Sequence, residues 1–303
     1  MAPKTHPTAN TAAFRFVRGL PDSIWGLRMM HAMAYTTGWT TPIGLSRETI
    51  WLPRENDSRM RVEVFRPASL TDPLPIVLYL HGGGFAIGTP RQDVALFARL
   101  MAARPCIIVA PHYRRSLQAP FPAALEDCHD TLVWLRQHAN QLGARDDPAV
   151  VMGPSAGGGL AASLCLLARD RASAPIAAQF LIGAMLDDRT RSTDLAPSDL
   201  SWSLGKNTLA WSLYLNGQPA SEYSSPARAC NLADLPPAFG IVGDCDLFHA
   251  ENSQYFRRLG EAGVTAKLQE VAGGYHGVDV FAPASQPGKE MHSKIIETFA
   301  EVL

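Results

Sequence analysis

Short, unbroken apolar runs recur from residue 76 onward and alternate with longer segments of helical periodicity. The apolar runs are residues 76–80, 106–110, 149–152, 180–182 and 238–242, and the helical segments between them include 93–103, 123–142 and 157–171. A last strand is predicted at 266–271. Strands that are buried on both faces of a parallel sheet have this continuous apolar character. The pattern therefore predicts an α/β fold with a mostly parallel central sheet that helices cover on both faces.

The first 45 residues differ from the rest because they carry no strand pattern. Apolar side chains between Ile24 and Ala34 recur at helical spacing behind Asp22 and Ser23, two residues that often cap a helix N-terminus. We expect one or two amphipathic helices that lie on the body. The chain thus divides into N-terminal cap helices (1–45) and one main domain (46–303).

Two segments that precede the first unbroken apolar run also carry strand signals. Residues 48–52 and 60–65 look extended, and the polar stretch Arg54-Glu55-Asn56-Asp57 between them predicts an antiparallel hairpin at a sheet edge.

About 50 residues separate the strands near residues 181 and 240, far more than the usual ~2 to 6 residue connection. This stretch has its own apolar helical pattern, so we expect an excursion at 190–225 that covers a site.

The run 149–152 leads into Gly153-Pro154-Ser155-Ala156-Gly157 and then a helix rich in small residues. A strand, a G-x-S-x-G turn and a helix together present a serine at a sharp bend. Ser155 is therefore the candidate nucleophile, although the motif also occurs by chance.

His81, three glycines and Phe85 directly follow the strand 76–80. Uncovered backbone N–H groups at such a turn can hold the oxyanion that forms when a carbonyl is attacked. We expect Gly83, Gly84 and the residue after the nucleophile, Ala156, to donate these hydrogen bonds, with Gly82 as an alternative. Neither a P-loop nor a dinucleotide-binding motif follows the first parallel strand, which argues against nucleotide binding.

A serine hydroxyl needs a base, and the base needs an acid to orient it. His276 follows the predicted last strand in a glycine-rich loop, where a base can reach over the sheet edge toward Ser155. Asp244 and Asp246 both follow the strand 238–242, at the end where ligand sites form in such sheets. We favour Asp246 and keep Asp244 as the alternative.

These motifs resemble those of the hormone-sensitive-lipase-type carboxylesterases of the α/β-hydrolase fold. The matching stretches are residues 81–85, 120–127, 153–158, 185–189, Asp246 and 276–277. The resemblance implies a serine esterase for short- to medium-chain esters, without metal or other cofactor, under a helical cap. One alternative is an amidase, a lactonase or a formamidase that uses the same triad. The other is a non-catalytic small-molecule binding protein of the same fold. Family members often pair through a sheet edge, so a homodimer is a further expectation.

The chain departs from the family pattern next to the nucleophile. Pro154 stands where the family usually has an acidic residue, which removes a charge and an N–H group beside the site. The expected apolar pocket is formed by four residues of the glycine loop and the excursion: Phe85, Trp202, Leu209 and Trp211.

Charge and composition limit the kinds of molecule that this protein is expected to bind and the compartment in which we expect it. The net charge of −1 gives no electrostatic footprint for nucleic acid, and no apolar stretch approaches the ~20 residues that a membrane span needs. The five cysteines are scattered and odd in number, which favours a reducing compartment. The N-terminus lacks an uninterrupted apolar stretch of signal-peptide length. We therefore predict a cytoplasmic enzyme acting on a small ester.

Overall fold

The computed structural model describes residues 12–36, 40–54, 58–69, 72–190 and 201–303. Its helices are α1 (Ala12–Gly19), α2 (Ile24–Tyr35), α3 (Val94–Ala103), α4 (Ala123–His138), α5 (Ala156–Asp170), α6 (Leu204–Leu215), α7 (His249–Glu261), α8 (Val278–Phe281) and α9 (Gln286–Val302). Its strands are β1 (Leu45–Pro53), β2 (Arg59–Pro67), β3 (Ile76–Tyr79), β4 (Ile107–Pro111), β5 (Ala149–Pro154), β6 (Ile176–Ile182), β7 (Ala238–Gly243) and β8 (Ala266–Val271). The predicted turn residues 55–57, and residues 191–200 of the predicted excursion, lie outside the described part.

The strands form one eight-stranded sheet in the order β1-β2-β4-β3-β5-β6-β7-β8. β1 pairs with β2 and β2 with β4 in antiparallel fashion, and every other neighbouring pair is parallel. Leu52 lies opposite Met60 in the hairpin, which forms one edge of the sheet. The predicted mostly parallel sheet and its edge hairpin are both confirmed.

Alternate side chains of the central strand β3 enter two separate apolar clusters. Leu78 packs in one cluster with Leu164 of α5, while Tyr79 packs in the other with Phe97 of α3 and Phe299 of α9. Because both faces of the strand are covered, both sets of side chains are apolar. This double burial explains the unbroken apolar runs in the sequence.

The N-terminal part holds two helices among its described residues. Ser23 begins α2, and its side chain accepts a hydrogen bond of 3.2 Å from the backbone N–H of Gly26. On α1, Phe14 is buried and makes an edge-to-face contact with Tyr275, with ring centroids 5.2 Å apart. The helices α1 and α2 lie against the body, as the capping residues and apolar spacing indicate.

Two properties of the described residues concern the requirements of a membrane-spanning helix and of a metal site. No helix in the described ranges combines the length and apolar character that crossing a membrane demands. Across those same residues, no group of three or more His, Cys, Asp or Glu side chains is arranged to hold a metal ion. Cys106, Cys128 and Cys165 are buried thiols of the core.

Candidate active site

Ser155 lies at the bend between β5 and α5, with φ of 54° and ψ of −124°. Few non-glycine residues adopt a positive φ, and such strain is concentrated at functional sites. The bend is fixed by backbone hydrogen bonds: Ser155 N donates to Ile182 O at 2.8 Å, and Met185 N donates to Ser155 O at 3.0 Å. A Cβ atom on Gly157 would lie 2.7 Å from His81 O. The neighbouring glycines therefore allow the close approach that this bend requires.

His276 connects Ser155 to Asp246. Its Nε2 lies 3.0 Å from Ser155 Oγ, and its Nδ1 lies 2.9 Å from Asp246 Oδ2. Burial lowers the pKa of His276, but the charge and the hydrogen bond of Asp246, with the charge of Asp279, raise it above its usual value overall. The backbone N–H of Phe248 donates to Asp246 Oδ1 at 2.9 Å and holds the carboxylate in place.

Asp244 has a different position from Asp246. Its Oδ1 accepts a hydrogen bond of 2.7 Å from the backbone N–H of Gly273, in the loop that leads to His276. Asp244 thus fastens the loop, while Asp246 contacts the imidazole itself. Of the two predicted candidates for the acid, the geometry places Asp246 beside the ring.

The glycine loop, residues 82–88, passes beside Ser155. Gly83 and Gly84 have φ angles of 128° and 57°, which favour glycine, and Phe85 follows at 58°. The backbone N–H groups of Gly83, Gly84 and Ala156 have no hydrogen-bond acceptor among the described residues. Polar hydrogens left unpaired next to a nucleophile are suited to binding an oxyanion.

Three of the four predicted pocket residues contact this loop or each other. The ring of Phe85 stacks on that of Tyr214 at 4.1 Å and lies 5.1 Å from that of Trp211. A Cβ atom on Gly84 would lie 2.6 Å from the six-membered ring of Trp202 and 3.2 Å from Ala210 Cβ. Trp202 therefore covers the glycine loop.

The fourth predicted pocket residue, Leu209, is half-buried and packs at the margin of the core. Its neighbour Ala210 is the α6 residue that approaches Gly84. The residue before Trp202 also reaches the site, since Ser201 Oγ donates a hydrogen bond to the backbone oxygen of His276.

Two buried polar residues of α7 hold the loop 183–190 beneath the site. Glu251 accepts a hydrogen bond of 2.6 Å from Leu186 N, and Asn252 binds both the N–H and the carbonyl of Ala184. Burial raises the pKa of Glu251 to about 8, although Thr190 and two backbone N–H groups oppose this by donating to it. The protonated carboxyl group is therefore the main form at neutral pH.

A buried lysine connects the two covering segments. Lys206 of α6 is 2% exposed, and its Nζ donates to Leu20 O and to Asp22 Oδ1, each at 2.9 Å. Ser203 Oγ donates to the same carboxylate oxygen at 2.7 Å. The link between α1 and α2 is thereby joined to the start of α6.

Sequence reasoning missed Glu251, Asn252 and Lys206 as parts of the site's support. One signal was present, because each is polar and lies on a helix with buried apolar neighbours. Such residues are rarely buried without partners. The partners themselves are far away in the chain and leave no local pattern.

Comparison with known proteins places this chain among hydrolases. Residues 77–280 match the family described as alpha/beta hydrolase fold. The chain is 33% identical over 221 residues to the esterase LipI of Mycobacterium tuberculosis, covering 70% of this chain and 68% of that protein. It is 32% identical over 234 residues to the carboxylesterase NlhH of the same organism, covering 73% and 72%.

Solved structures give the same result over a larger share of the chain. A bacterial heroin esterase superposes with a TM-score of 0.82 at 28% identity, covering 95% of this chain and 93% of that one. The esterase LipW from Mycobacterium marinum superposes with a TM-score of 0.84 at 27% identity, covering 99% and 98%.

Proposed function

The chain belongs to the alpha/beta hydrolase fold family, and from this premise we propose that it is a serine carboxylesterase. The observation that carries the proposal is the continuous hydrogen-bonded chain from Ser155 Oγ through His276 to Asp246, with contacts of 3.0 Å and 2.9 Å. This order of nucleophile, base and acid is what acyl transfer requires. The names of the relatives, esterase and carboxylesterase, support the same reaction class.

In the first half of the reaction, Ser155 Oγ attacks the ester carbonyl while His276 Nε2 takes its proton. The N–H groups of Gly83, Gly84 and Ala156 hold the oxyanion, and each such donor is typically worth about 2.7 to 4 kcal/mol of barrier. Asp246 stabilises the imidazolium and keeps Nδ1 protonated. His276 then gives its proton to the alcohol oxygen, the C–O bond breaks, and the acyl group remains on Ser155.

In the second half, a water molecule takes the place of the alcohol. His276 removes a proton from this water as its oxygen attacks the acyl carbonyl, and the same N–H groups hold the second oxyanion. The proton returns to Ser155 Oγ as the acid leaves. No metal or cofactor is needed in either half.

We propose short- to medium-chain esters as the substrates. Phe85 of the glycine loop, Trp202 against Gly84 and Trp211 against Phe85 provide apolar surface, and all three are buried. Apolar surface favours an uncharged acyl chain, and the indole contact with Gly84 limits the space beside the oxyanion donors.

The test is hydrolysis of p-nitrophenyl esters of increasing acyl length by the wild type and by Ser155→Ala. We expect wild-type activity to be highest for the shorter chains, and the variant to lose at least about 10⁴-fold in kcat. An initial burst of p-nitrophenol equal to the enzyme concentration is the signature of the acyl-enzyme.

The matched control is Ser293→Ala, which removes an exposed serine of α9 and is expected to leave activity unchanged. Faster turnover of a matched p-nitroanilide than of the ester would identify an amidase instead. If folded wild type neither hydrolyses these substrates nor opens lactones or formyl compounds, the small-molecule binding role replaces the esterase.

A further inference from the structure

The N-terminal helix α2 contacts the last residue of the glycine loop. The backbone N–H of Gly88 donates to His31 Nδ1 at 3.1 Å, and Arg115 Nη1 donates to Gly88 O at 3.1 Å. The peptide groups on both sides of Gly88 are therefore held by side chains from elsewhere in the chain. His31 lies on α2, 57 residues before Gly88.

Gly88 in turn packs directly against the start of the loop. Its φ is 98°, and a Cβ atom there would lie 2.7 Å from His81 Nδ1 and would collide with Gly82 O. Within the loop, Ile87 N donates to Gly83 O at 3.0 Å. A shift of Gly88 would therefore displace the Gly82–Gly83 peptide, whose N–H group, that of Gly83, is one of the oxyanion donors in the proposed reaction.

His31 is in the right protonation state to accept this hydrogen bond. Burial, with the charge of Arg115, lowers the pKa of His31 to about 4. The ring is therefore neutral at pH 7, and the N–H of Gly88 requires that Nδ1 carry the lone pair and Nε2 the proton. The ring is also held from the side by Tyr35, with ring centroids 5.0 Å apart.

We propose that His31 is a positioning residue that sets the oxyanion donors from the N-terminal helix. The inference rests on the proposed function and adds to it a dependence of acyl transfer on α2, a helix outside the sheet. The donors must lie where the oxyanion forms, so a small displacement of the loop slows chemistry more than it weakens substrate binding.

The test compares His31→Leu with His31→Asn on the best p-nitrophenyl ester. Leucine fills similar space and accepts nothing, whereas the side-chain oxygen of asparagine can stand near the position of Nδ1. We expect His31→Leu to lower kcat about tenfold with KM within about twofold, and His31→Asn to restore kcat to within about threefold. His138→Leu, on α4, is the control and is expected to keep wild-type kcat.

A second measurement does not depend on ester turnover. Phosphonylation of Ser155 by a fluorophosphonate also depends on the oxyanion donors. Its rate constant is therefore expected to fall about as much as kcat does in His31→Leu. Urea unfolding of each variant checks that the fold is intact.

The outcomes distinguish failure of the role of His31 from failure of the esterase proposal. Wild-type kcat and phosphonylation rate in folded His31→Leu, or equal losses in the Leu and Asn variants, would overturn the role of His31. If the wild type hydrolyses no ester but phosphonylation follows the expected order, the role of His31 holds and the esterase proposal fails. If the wild type reacts with neither reagent, both fail.

Discussion

The half of the candidate site that contains Ser155, His276 and Asp246 is held in a different way from the glycine-loop half. Ser155 follows a central strand, and Asp246 and His276 follow the neighbouring strands β7 and β8, so the sheet itself sets their separation. The glycine loop is held by the side chains of His31 on α2 and of Arg115, and it is covered by Trp202 and by Ala210 of α6.

This difference gives the site a rigid part, the hydrogen-bonded chain, and a part that can vary, the glycine loop. Contacts made by the sheet cannot change without disturbing the core, so the hydrogen-bonded chain is expected to be rigid. Contacts made by single side chains outside the sheet are individually weak. The glycine loop and its cover are therefore the part of the site where sequence changes can alter activity without unfolding the protein.

The largest expected effect comes from removing the charge beside His276. We expect Asp246→Asn to lower kcat roughly 10³- to 10⁴-fold, because an amide does not stabilise the imidazolium and favours the wrong tautomer. Asp244→Asn is expected to cost less than about tenfold, since Asp244 acts through Gly273. Initial rates on one p-nitrophenyl ester measure the loss in both variants. Equal losses would contradict the assignment of Asp246 and make Asp244 a candidate for the acid again.

A smaller effect is expected from Glu251 beneath the site. Its pKa is about 8 in the folded protein against an ordinary value of 4.5, so between these pH values the folded state holds a proton that the unfolded state releases. The free energy of unfolding therefore falls as pH rises through this window, by up to about 1.4 kcal/mol per pH unit, and the contribution is constant above it.

The variant Glu251→Gln cannot titrate and is expected to lack this slope. Urea unfolding at pH 5, 6.5 and 8 gives the difference between the variant and the wild type, in which other groups cancel. We expect the variant to gain on the wild type as pH rises. A constant difference across the three pH values would show that Glu251 does not hold its proton.

The smallest expected effect concerns the connection between the covering segments. Lys206→Met removes the donor to Leu20 O and Asp22, and we expect it to lower the free energy of unfolding by about 1 to 2 kcal/mol. Asp22 is 41% exposed and can be hydrated again, which limits the loss. Lys289→Met, at an exposed position, is the control; the prediction is wrong if the two variants unfold at the same urea concentration.

Local patterns in the sequence were enough to predict the sheet and most of its helices. Period-two and unbroken apolar runs located the strands, although β6 begins at Ile176, before the predicted 180–182. The predicted helical segment 123–142 is α4 followed by a 3₁₀ helix, Ala139–Leu142. The motif around Ser155 and the positions of Asp246 and His276 were predictable because parallel strands bring their carboxyl ends to one edge. The resemblance to the family is confirmed by the match over residues 77–280.

The supporting contacts could not be predicted because they join distant segments. Gly88 pairs with His31 across 57 residues, Lys206 with Leu20 across 186, and Glu251 with Leu186 across 65. No periodicity records such a pairing. The pocket prediction shows the same limit, since helical spacing alone did not distinguish Leu209 from Ala210 as the residue that faces Gly84.

Gly183 sets a limit on redesign of this protein. It follows β6 with φ of 48°, and a Cβ atom there would lie 2.9 Å from Asp246 Oδ2 and 3.6 Å from His276 Nδ1. Any side chain at this position would press against the carboxylate of Asp246 and the ring of His276. A mutant library aimed at bulkier substrates should leave position 183 unchanged and vary Trp202 and Ala210, which approach Gly84 in the glycine loop.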